Sequence, residues 1–394
     1  MRKQIEQCAN RNRVRADMRK CGNMCLYRRA LTGELAVLLA VEISACGGKA
    51  KPGQETGVSQ KAEITQEKAS APVWKDMRPE RSMELSYAKQ FSVDYYDGGY
   101  DLIQVQDDST CLVVPEGAAV PEGLPASITV LQKPLDHVYL AATSAMDLIA
   151  ALGRVDRITL SGTKESGWYV DAARQAMEDG TLSYAGKYSA PDYEQILSSG
   201  CDLALESTMI YHVPDVKAQL EQLKIPVFVE RSSYEEHPLG RMEWIRLYGV
   251  LFDAEETAEQ LFQEQVQQLD TVLTGQSVGK SAAFFYITSN GAVNVRKPGD
   301  YVAKMIELAG GSYVPKTADT DENALSTMNM QMETFYAEAK EADCLIYNST
   351  IEGELQTMDE LLQKSPLLKD FKAVKNGNVW CTGKSLYQAT DIVG

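Results

Sequence analysis

The residues able to do chemistry are few and scattered. His137, His212 and His237 are the three histidines of a 394-residue chain, too few for a His-rich metal site. Eight cysteines are present, none in Cys-X-X-Cys spacing, so neither a zinc ribbon nor a dithiol redox motif is expected. Gly-X-Ser-X-Gly, P-loop, Gly-X-Gly-X-X-Gly and His-Glu-X-X-His patterns are all missing, which argues against an enzyme. What remains is the chemistry of recognition. Tyr211 and His212, just after Met209, pair a phenol with an imidazole; such a pair can ligate iron, but one imidazole makes a weak donor set. Trp168, Tyr169 and Tyr188 put aromatic rings near loops, where they either stack on a flat conjugated ligand or fill core. Arg231, opening Arg231-Ser232-Ser233-Tyr234, is placed either to pair with an anionic group or to make a surface salt bridge. Thr143 and Ser144 are either ligand contacts or a helix cap.

These residues sit at the ends of predicted elements. Phe91–Tyr96 and Tyr100–Val105 flank Asp97-Gly98-Gly99 and read as a β-hairpin. Short strands follow at Cys111, Ile128, Val138, Arg157, Cys201 and Pro226. Helical stretches lie between them, at Ala145–Leu152 with Gly153 as the stop, from Trp168 to Met177, at Tyr193 and from Pro214 to Leu223. Pro238 to Leu273 reads as two helices, the second a long one near 255–274. Strand and helix then alternate again, with a strand at Ala283–Ile287, a helix from Asp300 to Ala309, a helix from Met332 to Ala342, and strands at Cys344–Tyr347 and Asn378–Cys381. Such alternation implies mainly parallel sheets covered by helices on both faces.

A net charge of −16 argues against general nucleic-acid binding. The charge is unevenly spread: residues 1–30 carry nine Lys or Arg against two acids. An apolar run follows, Ala30 to Ala45, ending Ile43-Ser44-Ala45-Cys46-Gly47-Gly48. Basic flank, apolar run and small residues before a cysteine form the grammar of an exported protein. Glu34 and Glu42 interrupt the apolar run, and the long basic flank makes Met18 or Met24 alternative starts. A buried helix with a fortuitous cysteine is the competing reading. Residues 47–73 are polar and small, and read as a tether. Cys111, Cys201, Cys344 and Cys381 remain downstream, with nothing favouring a disulfide among them.

A unit repeats. Tyr193-Glu194-Gln-Ile-Leu precedes Cys201-Asp202-Leu-Ala-Leu, and Met332-Glu333-Thr-Phe-Tyr precedes Asp343-Cys-Leu-Ile-Tyr. Each is a helix with an early glutamate, a short turn and an apolar strand. Together with Ala142–Gly153, Pro191–Leu197, Gln222–Val229, Glu236–Trp244 and Lys304–Gly311, this order of segments resembles the class III substrate-binding lipoproteins of ABC importers, which take siderophores, haem or cobalamin. The resemblance spans roughly residues 85–394.

The resemblance implies an α/β fold of two Rossmann-like lobes with mainly parallel sheets, joined by one long helix, with a ligand cleft between the lobes. The implied domains are a signal peptide at 1–46 with Cys46 as the lipidated residue, a flexible tether at 47–80, a first lobe at 81–253, a connecting helix at 254–275 and a second lobe at 276–394. The family ends in a further helix, whereas this chain stops at Asp391-Ile-Val-Gly394, so a truncated or incomplete second lobe is expected. The cleft would be lined by Thr143, Ser144, Trp168, Tyr169, Tyr188, Met209, Tyr211, His212, Arg231, Ser232 and Tyr234 from the first lobe. Ser289, Asn290, Arg296 and Asn329 would come from loops of the second. Arg241 reads as a brace within the first lobe. Glu194 and Glu333 would dock onto an ABC permease dimer. The expected ligand is an iron chelate, either a siderophore or haem, with cobalamin or another corrinoid as the alternative and a non-transport surface lipoprotein as the remote one. The expected protein is a monomer with no resident cofactor and no nucleic-acid partner, lipid-anchored (palmitate included) to the outer face of the bacterial cytoplasmic membrane.

Overall fold

The computed structural model describes residues 71–273, 277–316 and 327–383, together with 385, 386 and 388. Cys46, the leader and most of the expected tether lie outside the described residues. The ordered framework starts earlier than the expected boundary at 81. Strand β1 (Pro79–Ser82) pairs with β2 (Phe91–Tyr96), and the Trp74 ring lies 5.7 Å from that of Tyr96. Trp74 belongs to this framework, because a large ring with a partner to bury against does not stay in solvent.

The first lobe contains two sheets. One runs in the order β1-β2-β3-β4-β5, with β3 at Tyr100–Val105, β4 at Thr110–Val114 and β5 at Ile128–Gln132. It is antiparallel except for the β4–β5 pair. The second sheet is wholly parallel, in the order β12-β11-β6-β7-β8. Its strands are β6 (Val138–Leu140), β7 (Ile158–Ser161), β8 (Ser183–Tyr184), β11 (Leu203–Ser207) and β12 (Val227–Glu230). A small hairpin, β9 (Gly186–Lys187) with β10 (Ala190–Pro191), stands apart. Four helices alternate with the parallel strands: α1 (Ala145–Ala151), α2 (Asp171–Glu178), α3 (Tyr193–Ser198) and α4 (Pro214–Gln222).

Helix α5 (Pro238–Leu251) is the axis of this lobe. Pro238 at its first turn and the His237 Nδ1, which accepts the Leu239 N–H at 3.1 Å, start it. Apolar residues surround it on every side, and all of its residues but Arg246 are buried, as expected for a helix with no polar face. The next helix, α6 (Glu255–Val272), folds back along it. Gly249 permits the contact, since a Cβ there would lie 2.8 Å from Ala258. Ala258 and Phe262 of α6 complete the first-lobe core. The long helix expected between the lobes is therefore present, and its first half belongs to the first lobe.

The second lobe is one mixed sheet in the order β16-β14-β13-β17-β18, with β15 beside the start of β13. Its strands are β13 (Ser281–Ile287), β14 (Val293–Arg296), β15 (Ser312–Val314), β16 (Thr327–Met330), β17 (Cys344–Tyr347) and β18 (Val379–Cys381). Helices α7 (Tyr301–Leu308), α8 (Met332–Ala339), α9 (Ser349–Glu352), α10 (Met358–Lys364) and α11 (Lys372–Lys375) accompany it. Phe285, Phe335, Tyr347 and Phe371 form its core. Among the described residues no helix is long and apolar enough to cross a membrane, and Cys111, Cys201, Cys344 and Cys381 are free thiols.

The repeated unit takes the same place in both lobes. Each helix, α3 or α8, leads to a strand inside its sheet, β11 or β17. Asp202, at the entry to β11, accepts the Asp136 and His137 N–H groups at 2.8 and 3.1 Å, just before β6. Asp343, at the entry to β17, accepts the Ser281 N–H of β13 at 2.9 Å.

Candidate ligand site

In a parallel sheet the loops that follow the carboxyl ends of the strands gather at one edge, where ligands bind. Here these are Ala141–Ser144 after β6, Gly162–Val170 after β7, Thr208–Val213 after β11 and Arg231–His237 after β12. The structure makes one polar cluster of two of them. Arg231 is buried, its guanidinium stacked 4.6 Å over the Tyr234 ring, and its Nε donates to Gln90 Oε1 at 3.2 Å. Tyr211 Oη donates to Asp107, which also accepts from Ser109. Burial alone would raise the Asp107 carboxyl. Hydrogen bonds from Ser109 and Tyr211, and then the Arg231 charge, hold it below the usual carboxylate range. Burial, followed by the Asp107 bond and charge, pushes the Tyr211 phenol up. A phenol that keeps its proton on Asp107 is an acceptor and a ring surface rather than a ready phenolate for iron. Met209, Tyr211 and Tyr169 are exposed at 45, 40 and 44%, and His212 is exposed beside them. Thr143 and Ser144 are half-buried, and Ser144 makes no capping bond to α1.

Gln90 is held from below. Five successive N–H groups point into two buried carboxylates: Ser86, Tyr87 and Ala88 donate to Glu243 at 2.7–2.9 Å, and Lys89 and Gln90 donate to Glu235 at 2.8 and 3.0 Å. Trp244 Nε1 donates to Glu235 as well, at 2.9 Å. Gly240 lets the loop lie this close, because a Cβ there would meet the Tyr87 carbonyl at 3.0 Å. Glu243 on helix α5 and Glu235 in the loop just before it thus fix the chain entering β2, and with it the partner of Arg231.

Several expected site residues lie elsewhere. Trp168 is 1% exposed and its Nε1 donates to Ser161 Oγ at 3.2 Å, so it is core. Tyr188 sits in the turn between β9 and β10. Ser232 is buried, its N–H spent on Glu230 at 2.7 Å. Arg296 is buried against Asp300 at 3.2 Å and next to the Tyr301 ring, where its charge is consumed. Arg241 braces the opposite lobe from the one expected: it donates to Tyr301 Oη at 2.7 Å. Asn329 lies on strand β16, where Asn294 Nδ2 donates to it at 2.8 Å across the ladder. Asn290 accepts from Thr288 Oγ1 and from the Ala292 N–H, building its own turn, while Ser289 is exposed in that turn. After β18, Gln388 spans the lobes: it accepts the Tyr169 N–H and donates to the Gly167 carbonyl, both at 2.7 Å.

Asp107 and Gln90 were not foreseen. Both come from the antiparallel sheet, Asp107 from the β3–β4 turn and Gln90 from just before β2. The Asp107-Asp108-Ser109 turn signal is in the sequence, but nothing local ties it to Tyr211, 104 residues on.

Glu194 and Glu333 are both exposed in the first turns of α3 and α8. Beside Glu194 a depression of about 480 Å³ opens between α3 and α4, lined by Tyr193, Leu197, Asp215, Val216, Gln219 and Leu223. Among the described residues no group of three or more His, Cys, Asp or Glu is arranged to hold a metal.

Residues 138–386 match the family model described as periplasmic binding protein. An uncharacterized lipoprotein of Methanocaldococcus jannaschii is 25% identical over 334 residues, covering 77% of each chain. The fold is similar to that of the periplasmic heme binding protein HutB of Vibrio cholerae (TM-score 0.52, 19% identity, 65% of this chain and 94% of that one). It is also similar to a protein of an ABC-type Fe3+-hydroxamate transport system from Saccharomonospora viridis (TM-score 0.52, 18% identity, 66 and 89%).

Proposed function

The chain belongs to the periplasmic binding protein family that serves ABC importers of siderophores, haem and vitamin B12, and we propose that it captures an iron chelate, siderophore or haem, and delivers it to a permease without altering it. The observation that carries this reading is Arg231, a buried guanidinium stacked on Tyr234, at a loop edge where Met209, Tyr211 and Tyr169 expose apolar and aromatic surface. Anionic groups on a large conjugated or catecholate ligand suit that combination of one fixed cation and several rings. The names of the solved neighbours, heme binding and Fe3+-hydroxamate transport, point the same way. Family members are binding proteins that work outside the cytoplasm, and the lipoprotein relative supports the reading that Cys46 is an anchor at the membrane surface.

Glu194 and Glu333 are the proposed permease contacts, one per lobe. A carboxylate meeting a guanidinium makes a directional pair, and two such pairs fix orientation.

A thermal-shift panel tests the ligand class. Ferric hydroxamate, ferric catecholate, haem and cobalamin are each added to the purified protein. A ligand at a hundred times its Kd stabilises the native state by about 2.7 kcal/mol and raises the melting point by several degrees. A rise with cobalamin alone would replace the iron chelate by a corrinoid. No rise with any of the four would sink the reading.

A further inference from the structure

Glu230 stands at the end of edge strand β12, 2% exposed. Its two carboxylate oxygens are divided between two different loops. Oε2 accepts the Ser144 hydroxyl at 3.0 Å, from the segment after β6. Oε1 accepts the Ser232 N–H at 2.7 Å, from the segment after β12. Strand β11 lies between those two strands, so this carboxylate reaches across a whole strand. The loop it holds by Ser232 begins with Arg231. The Ser144 side chain makes no cap for α1, so its bond to Glu230 is not helix capping in disguise. On α5 the fully buried Tyr248 phenol is pushed up, by burial first and then by the Glu230 charge.

We propose that Glu230 is a positioning residue that locks the Thr143–Ser144 loop and the Arg231–Tyr234 loop into one geometry, so that a ligand gripping Arg231 also meets a fixed Thr143–Ser144. The inference rests on the reading that both loops face the ligand. The physics is that of a carboxylate holding two donors at once. Each charge-assisted bond is shorter and stronger than a neutral one, and a buried acceptor that loses a donor carries the full cost of desolvation. Moving either loop alone leaves an oxygen unpaired in the core, so the two loops move together or not at all. Pre-ordering two loops before binding lowers the ordering cost that binding must meet.

The test reads hydrogen exchange without any ligand, which separates it from the ligand reading. Ser144→Ala removes one donor, remote in sequence from Ser232. Faster exchange is expected at residues 142–146 and also at 232–235, about tenfold in each. Ser144→Thr keeps the hydroxyl and should restore wild-type exchange in both segments. Glu230→Gln, which cannot accept from both loops alike, should speed both. If Ser144→Ala alters only its own loop, the coupling is absent and the proposal falls, whatever the ligand panel shows. If exchange is coupled and no ligand in the panel binds, Glu230 still couples the loops and the ligand reading fails by itself. With a ligand that does bind, Ser144→Ala and Glu230→Gln should each weaken it about tenfold while leaving the melting point of the free protein within a few degrees. Wild-type affinity in both variants would overturn the positioning role.

Discussion

The two lobes repeat the same helix–strand unit yet spend their polar residues differently. In the first lobe Arg231 is held by the Gln90 amide and the Tyr234 ring, and it shares its charge with the nearby Asp107 carboxylate without a direct ion pair to it among the described residues. In the second lobe Arg296 is closed off by Asp300 and packed at the Tyr301 ring, where Arg241 of the first lobe also arrives. One arginine is stacked and ready, while the other is a structural ion pair at the junction. The candidate residues Asn290 and Asn329 of the second lobe are likewise used on a turn and a strand ladder. Similar topology therefore does not imply similar use of the polar residues: in the second lobe the candidate residues are mostly spent on internal pairs, a turn and a strand ladder.

The largest expected effect comes from the place where the lobes are alike. Glu194→Arg with Glu333→Arg should abolish uptake in cells while leaving the affinity of the isolated protein intact. A carboxylate–guanidinium contact becomes a cation–cation repulsion at two points, and specific orientation is lost. Either single reversal should leave partial uptake. If ligand affinity falls with uptake, these glutamates belong to the binding site; if uptake is unchanged, they only favour the first turns of their helices.

The arginines should separate next. Arg296→Ala strips the partner from a buried Asp300, whose carboxyl burial already raises. Removing one member of a buried pair costs about 3 kcal/mol or more, read as a lower urea midpoint, with affinity in the folded fraction unchanged. Arg231→Ala should do the reverse. Losing charge-assisted bonds to an anionic ligand costs about 1.5–3 kcal/mol of binding, or ten- to a hundredfold, with a small change in stability. Equal affinity losses in both variants would erase the asymmetry.

The alternation of strands and helices and the repeated unit were legible because each is written within a few neighbouring residues. Strand β16 was not: Thr327-Met-Asn-Met330 alternates polar and apolar over only four residues, too few to separate it from a loop, and its pairing with β14 decides its state. Trp168, after Ser166-Gly167, was open to a loop or a core role, and one turn of backbone returns it to the core. The Arg231 partners were hidden for a different reason. Gln90 is 141 residues away, and only the packing of β2 against α5 brings it near.

Glu206 gives a sharper test of the first lobe alone. It lies on β11 with no exposure, and among the described residues neither carboxylate oxygen has a hydrogen-bond partner. Burial pushes its carboxyl up to about 8. Between the unfolded value near 4.5 and that folded value, the native state keeps a proton the unfolded chain has released. Its contribution to stability is therefore whole below about 4.5, and it declines as pH rises to about 8, by up to about 1.4 kcal/mol per pH unit. Glu206→Gln should remove this slope, making the variant more stable than the parent at pH 8 and nearly equal at pH 4.5. Parallel urea-midpoint curves for the two proteins would show that Glu206 has found a partner.

The smallest effect distinguishes the two aspartates that hold the repeated strands. Asp202 has its carboxyl raised, because burial outweighs the His137 N–H bond it accepts. Asp343 has its carboxyl lowered, first by the Lys372 ammonium at 2.7 Å and then by the Ser281 N–H. The signs are opposite at the same place in the unit. A lowered group stabilises the fold above its unfolded value, and that gain is lost as pH falls through the folded value. A raised group does the opposite, favouring the fold most at low pH. Asp343→Asn should therefore lower the urea midpoint at pH 7 and converge on the parent as pH falls below the usual carboxylate range. Asp202→Asn should be neutral or slightly stabilising at pH 7, since the charge it removes was held at a desolvation cost while its amide oxygen still accepts the Asp136 N–H. The two differences should have opposite sign at neutral pH and both shrink on acidification. Differences of the same sign at pH 7 would mean that the hydrogen bonds, common to both lobes, outweigh the charge environment that separates them.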